Sequence, residues 1–334
     1  VLLTGRPASR TRSRARRLAT IPALLACAAL VLSACGDDGG GGGDDPLGVS
    51  EGAAERLDAV TISGDVGTAP EVKWKGEMQA GKVETETLTE GDGDALKGQD
   101  DVMAQLWIGN GYSQREVYST YTDKKAELLT VNNQLPDFLA GIRDAKIGSR
   151  LAITASAEEM FGQAGNSQLD IGNKDSVLVI VDLVSKVLDK PEGEQTAYPA
   201  WMPKPNFEKG VIKSWDFTGT PQPTDKLLRT QLIKGTGPRV KKGQTIAVRY
   251  LGQAFGGDKP FDQNYGDDGQ GAPTTFSIGT GAVIKGWDQG LEGVPVGSRV
   301  VLEVPPDLGY GEQGSDGIPA NATLVFMIDV LGAA

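Results

Sequence analysis

Val283-Ile284-Lys285-Gly286-Trp287 sets a large flat ring beside a backbone amide in an otherwise apolar neighbourhood. The spacing predicts a short helix over Val283 to Leu291, because Ile284, Trp287 and Leu291 fall at i, i+3 and i+7 and so share one face. That face needs a sheet to cover it. Thr245 to Leu251 turns Ile246, Val248 and Tyr250 to one side, and Thr323 to Val330 turns Leu324, Phe326, Ile328 and Val330 to one side, as half-buried strands do. Further strands are expected near Leu227 to Ile233, Thr274 to Ile278 and Arg299 to Val304, with Gly309, Gly311, Gly314 and Gly317 marking a long loop before the last one. The fold class is therefore α+β, an antiparallel sheet curled against a helix, with an indole as the floor of an apolar cup.

Working outward, the chain repeats itself. Ile62 to Pro70 echoes Lys213 to Pro221, Leu88-Thr89-Glu90-Gly91-Asp92-Gly93 echoes Ile233-Lys234-Gly235-Thr236-Gly237, and Ile147-Gly148-Ser149-Arg150-Leu151 echoes Val296-Gly297-Ser298-Arg299-Val300. Trp107 stands 12 positions before Ser119, as Tyr250 does before Asp262; Phe138 stands 23 before Phe161, as Trp287 does before Tyr310. Two copies at a period of roughly 145 residues mean tandem domains, since solenoid repeats are far shorter. Between them Pro191, Pro199, Pro203 and Pro205 suit a semi-rigid linker over 191–209, with Trp201 expected to pack on one of the domains.

Composition removes several classes of function. The chain has 334 residues, no histidine and a net charge of -11, so Ser-His-Asp and Cys-His units and histidine-ligated metals are excluded. The acidity argues against nucleic-acid binding. No calcium-loop pattern is present, and Asp267-Asp268 reads as a solvated turn. Cys27 and Cys35 both lie near the start, so no disulfide staples the later domains.

Six arginines from Arg6 to Arg17 precede the apolar run Leu18 to Leu32, which has the length of a signal-peptide core rather than of a membrane span. Leu32-Ser33-Ala34-Cys35-Gly36 resembles the lipobox of bacterial lipoproteins, which implies acylation of Cys35 after cleavage and a leader over residues 1–35. The Gly/Asp-rich stretch 36–58 then reads as a flexible tether. The expected location is extracytoplasmic, on a lipid anchor in the bacterial cytoplasmic membrane.

In the second copy Tyr250, Phe261-Asp262, Phe276-Ser277-Ile278-Gly279, Val283-Ile284-Lys285-Gly286-Trp287, Val296-Gly297, Pro305, Tyr310-Gly311 and Ala322-Thr323-Leu324-Val325-Phe326 occur in order. Together they resemble the FKBP-type peptidyl-prolyl cis-trans isomerases over residues 210–334. The resemblance implies two tandem FKBP-like domains, each a curled antiparallel sheet of about five strands wrapped on one short α-helix. It implies rotamase activity on peptide bonds preceding proline, with no cofactor and no metal. Trp287 would be the floor, Tyr250, Phe261, Phe276, Val283, Ile284 and Phe326 the walls, and Asp262, Tyr310 and the Ile284 amide the polar groups. Proline-containing unfolded or exported polypeptides are the implied partners, and macrolide inhibitors the implied ligands. Thr274 stands where many members carry a further aromatic.

The first copy, residues 59–190, departs further. Aligned by spacing, Trp107 takes the place of Tyr250, Ser119 of Asp262, Gln134-Leu135 of Val283-Ile284, Phe138 of Trp287 and Phe161 of Tyr310, which reads as a degenerate FKBP-like domain. The alternative function is a non-catalytic holdase that uses both domains as binding surfaces for unfolded chains.

Overall fold

The computed structural model describes residues 56–334; the leader, Cys35 and the tether up to residue 55 lie outside the described residues. A hairpin of β1 (Val60–Ser63) and β2 (Glu71–Trp74) comes first. The first large sheet is built from β3 (Glu84–Thr89), β4 (Asp101–Asn110), β5 (Arg115–Ser119), β6 (Glu127–Thr130), β7 (Arg150–Ser156) and β8 (Ser176–Lys186). Next come β9 (Gly193–Gln195) and a second hairpin, β10 (Lys204–Glu208) with β11 (Val211–Asp216). The second sheet holds β12 (Leu228–Gly235), β13 (Thr245–Ala254), β14 (Asp262–Gln263), β15 (Thr274–Ser277), β16 (Arg299–Val304) and β17 (Leu324–Ala333).

The two sheets share one strand order. The first runs β3-β7-β8-β4-β5 with β6 also on β4, and the second runs β12-β16-β17-β13-β14 with β15 also on β13, all antiparallel. Two of the three echoes seen in the sequence fall on matching hydrogen bonds, while Ile62 to Pro70 spans the end of β1 and the turn to β2 and Lys213 to Pro221 runs through and beyond β11. Gly91 donates to Ser149 Oγ at 2.9 Å, and Gly235 to Ser298 Oγ at 3.0 Å. A Cβ on Gly91 would lie 2.2 Å from the Ile147 carbonyl oxygen, and one on Gly235 2.3 Å from that of Val296, so both turns require glycine.

Strand number exceeds the expected five because one edge is divided. β14 and β15 pair with different halves of β13, as β5 and β6 do with β4. The segment read as a proline-rich linker is also more structured than expected. β9 extends the second sheet beyond β12, and β10 pairs with β11 through a bulge at Asn206 and Phe207. Prolines confined to edges and turns leave those ladders intact. Trp201 packs with Trp215 and Leu251, as the sequence suggests.

Each sheet has two covered faces. On the outer face of the second, the β10-β11 hairpin packs Ile212 and Trp215 on Leu251, Val301, Val325 and Met327; on the first, β1-β2 packs Val60 and Trp74 on Trp107, Ala152, Leu178 and Ile180. The inner face of the second sheet holds the helix Lys285–Leu291 against Val300, Leu302 and Val304. A Cβ on Gly286 would meet Val304 Cγ1 at 2.4 Å, so the helix presses on β16 at a distance no alanine allows.

That helix starts two residues later than expected. Val283 and Ile284 stay outside it because Asp288 accepts from the Gly279 and Gly281 amides at 2.6 and 3.0 Å and ties the preceding turn. In the first copy the corresponding stretch is a 3-10 helix, Asp137–Ile142, rather than an α-helix. Leu139 stands in the Asp288 position and is fully buried, so no carboxylate ties its turn. The sheets lie within one compact unit. They meet where Met103, Ala126 and Val187 pack on Ala247 and Leu331, with the Ala126 amide bonded to Thr245 Oγ1 at 3.0 Å and the Leu188 amide to the Leu331 carbonyl at 2.9 Å.

Candidate active site

The nine residues expected to form the pocket of the second copy converge on one cleft. Tyr250, Phe261, Asp262, Phe276, Val283, Ile284, Trp287, Tyr310 and Phe326 line it, together with Ala282, and enclose about 410 Å³. Alternation supplies the walls. Tyr250 on β13, Phe276 on β15 and Phe326 on β17 turn inward, and the helix brings Trp287 down between them. Ala282 carries no signal of its own in the sequence, since its place follows from the turn that Asp288 fixes.

The rings meet edge to face. Trp287 lies 5.3 Å from Tyr250 at 86°, 5.2 Å from Phe276 at 76° and 5.4 Å from Phe326 at 84° between ring planes. Phe261 closes the far wall, 5.7 Å from Phe326 at 83°. Such contacts contribute about 0.5–1.5 kcal/mol each beyond area burial and fix the tilt of every ring. Gly252 makes room for them, because a Cβ there would come within 2.6 Å of both Phe261 and Phe326. Trp287 is only 4% exposed, so it forms the floor of the cleft.

Polar groups sit at one rim. The Tyr250 hydroxyl donates to Asp262 Oδ2 at 2.5 Å. Burial first, and then the Asp262 charge, hold the Tyr250 phenol well above its ordinary pKa. Tyr310, 40% exposed, is pushed up for the same two reasons. Both hydroxyls therefore remain protonated donors at neutral pH. The Ile284 amide donates to no described hydrogen bond, while the Ile284 carbonyl receives the Trp287 amide at 2.9 Å. The result is an apolar box with a phenol, a carboxylate and a backbone N–H along its mouth. Among the described residues no group of three or more His, Cys, Asp or Glu is placed to hold a metal.

The first copy corrects one part of the alignment by spacing. Strand register matches Leu106, not Trp107, to Tyr250, and the bonds to side chains agree: the Leu106 amide donates to Thr120 Oγ1 at 2.9 Å as the Tyr250 amide donates to Asn264 Oδ1 at 2.6 Å. Tyr118 faces Ile108 in the ladder as Asp262 faces Gly252, so Tyr118 rather than Ser119 holds the carboxylate's position. A slip of one residue moves a strand's side chains to the opposite face. Trp107 accordingly packs on the outer face under the β1-β2 hairpin, where its Nε1 donates to Glu116 at 2.7 Å. By the same register Leu129 matches Phe276 and Val179 matches Phe326. Phe138 and Phe161 do come together, with centroids 6.1 Å apart.

A family model for FKBP-type peptidyl-prolyl cis-trans isomerases matches residues 237–331, the part that carries the whole cleft. An "FK506-binding protein" of Streptomyces anulatus is 39% identical over 118 residues, which are 35% of this chain and 92% of that protein. "FK506-binding protein 4" of Aspergillus fumigatus is 45% identical over 97 residues, 29% of this chain but only 19% of that longer protein. Among solved structures, FkpA from Escherichia coli matches at 34% identity and a TM-score of 0.29, over 32% of this chain and 47% of that one. The family model and a relative matched over nearly its whole length agree on the family, and this chain belongs to the FKBP-type peptidyl-prolyl cis-trans isomerases.

Proposed function

We propose that the chain speeds cis-trans exchange at prolyl bonds of exported polypeptides, in the cleft floored by Trp287. The observation that carries this reading is the box of Tyr250, Phe276, Trp287 and Phe326 standing edge to face beside the Tyr250-Asp262 bond. Rotation about an Xaa-Pro bond is slow because amide resonance must be broken, at a barrier of about 18–20 kcal/mol. No covalent partner is required. Twisting diminishes the charge separation of the amide, so a cleft that excludes water favours the twisted over the planar form, at roughly tenfold in rate per 1.36 kcal/mol.

In this scheme the prolyl ring rests on Trp287, while the Ile284 amide and the Tyr310 hydroxyl hold substrate carbonyls in place as the bond rotates. Asp262 fixes the Tyr250 ring. Losing that charge-assisted bond amounts to about 1.5 kcal/mol, close to tenfold in kcat/KM. The test is a prolyl-peptide exchange assay on the full chain. Asp262→Leu is expected to lose about tenfold while retaining the wild-type melting profile, and unchanged turnover would refute the site.

Residues 59–190 complete the proposal as a degenerate FKBP-like domain. Its support is the shared strand order together with Leu106, Tyr118 and Phe161 at the positions of Tyr250, Asp262 and Tyr310. For location, the lipobox-like Leu32 to Gly36 supports acylation of Cys35 and tethering to the outer side of the cytoplasmic membrane. Labelled fatty acid should enter the wild-type chain and not Cys35→Ala.

A further inference from the structure

Away from the prolyl cleft, both copies contain the same buried unit of arginine, aspartate and tyrosine, and they finish it differently. In the first copy Arg150 donates through Nε and Nη2 to both carboxylate oxygens of Asp182, each at 2.7 Å. Its remaining donors are taken by the turn between β1 and β2: Nη1 reaches the Gly64 carbonyl at 2.8 Å, and Nη2 reaches those of Asp65 and Thr68 at 3.1 and 2.7 Å. That turn also returns an N–H, from Gly67 to Asp182 at 2.6 Å, and the Tyr121 hydroxyl bonds the same oxygen at 2.5 Å. Every polar group is matched.

In the second copy Arg299 grips Asp329 in the same way, at 2.7 Å twice. No turn covers it. A cavity of about 160 Å³ lies there instead, lined by Arg249, Tyr265, Arg299 and Asp329 with Lys209 and Gln270 among its other walls. The Arg299 side chain is 19% exposed where that of Arg150 is 2%. Tyr265 is buried with its hydroxyl turned to Asp329, though without the close 2.5 Å bond that Tyr121 makes to Asp182.

A second difference concerns charge. Arg249 pairs in register with Asp329, where the first copy has neutral Gln105 opposite Asp182. It is 6% exposed and bonds only carbonyl oxygens, those of Gly271 and Asp189. Two guanidinium groups therefore flank one buried carboxylate, and the surplus cation favours an occupant rich in acceptor oxygens.

We propose that this cavity is a second peptide-binding site, built to take the backbone of a tight turn from another polypeptide. The first copy displays the required chemistry within the chain itself: clustered carbonyl oxygens on the arginine and one N–H on the aspartate. The site lies apart from the prolyl cleft, so it would hold a client by an exposed turn while the cleft works on a prolyl bond.

The probe is the peptide Ser-Gly-Asp-Val-Gly-Thr-Ala, the sequence of Ser63 to Ala69, acetylated and amidated and lacking proline. Titrated with the full chain and followed on the peptide's own NMR signals, it should bind saturably, and Tyr265→Phe should weaken it about fivefold. Arg249→Gln, which installs the first copy's residue, should weaken it as well. Turnover of a short prolyl peptide should be unchanged in Tyr265→Phe. Absence of saturable binding, or equal binding by wild type and both variants, overturns the proposal. Displacement by acetate or phosphate at the peptide's own concentration also overturns it, by making this a small-anion site only.

Discussion

The two sheets have one strand order and different inner faces. Where the second sheet places Tyr250, Phe276 and Phe326 around an indole, the first places Leu106, Leu129 and Val179, all deeply buried. The frame is kept by contacts that both copies share, such as the close approach of Gly91 to Ile147 and of Gly235 to Val296. The cleft depends on a few inward positions and on a tied turn, and these changed while the frame did not. A fold can thus be held by one set of residues and a function by another.

The largest difference between the copies should appear in stability. Arg150→Ala removes a 2%-exposed guanidinium, uncouples the buried Asp182 charge and leaves its Oδ1 and three turn carbonyls unmatched, so unfolding free energy should fall by about 3–5 kcal/mol. Arg299→Ala, which strands no turn carbonyls, should cost visibly less in the same denaturant titration. Equal losses would break the contrast between a covered unit and an open one.

Next in size is Gly286→Ala. Its Cβ would meet Val304 at 2.4 Å, so the helix must lift from β16, at about 1–3 kcal/mol and with a fall in isomerase turnover as Trp287 moves. Asp137 occupies the matching place in the first copy, and Asp137→Ala should leave turnover within about twofold. Trp107→Phe sharpens the register: it should lower the melting temperature through lost outer-face packing and leave turnover unchanged, whereas an inward Trp107 would alter substrate binding.

The smallest effect concerns pH. Burial and the Asp262 charge raise the Tyr250 phenol above its ordinary value of 10.0 and raise Tyr310 as well, so the neutral donors persist on the alkaline side. With no histidine in the chain, kcat/KM should be level from about pH 7 to pH 10. A decline centred near pH 7 would point to a titrating group absent from this account.

The second copy's cleft was legible because its residues are large, inward at period two, and ordered along the chain. Ala282 and Asp288 were not, since an alanine in a turn and a carboxylate capping one leave no periodic mark. Register in the first copy was illegible for a sharper reason. Trp107 to Ser119 spans 12 positions, but so does Leu106 to Tyr118, and spacing alone cannot choose between two faces of a strand. Matching aromatic to aromatic chose the outer one. Proline content hid β9, because the short ladder to β12 uses Gly193 to Gln195, which lie between the prolines.

The direct test of where the chemistry resides is one exchange assay on three full-length proteins, with a short Xaa-Pro peptide as substrate. Phe326→Leu with Tyr310→Phe is expected to cut kcat/KM by more than tenfold, and Phe138→Leu with Phe161→Leu to stay within about twofold of wild type. Equal losses in the two double variants, or a loss confined to the second, would contradict the assignment of catalysis to the Trp287 cleft.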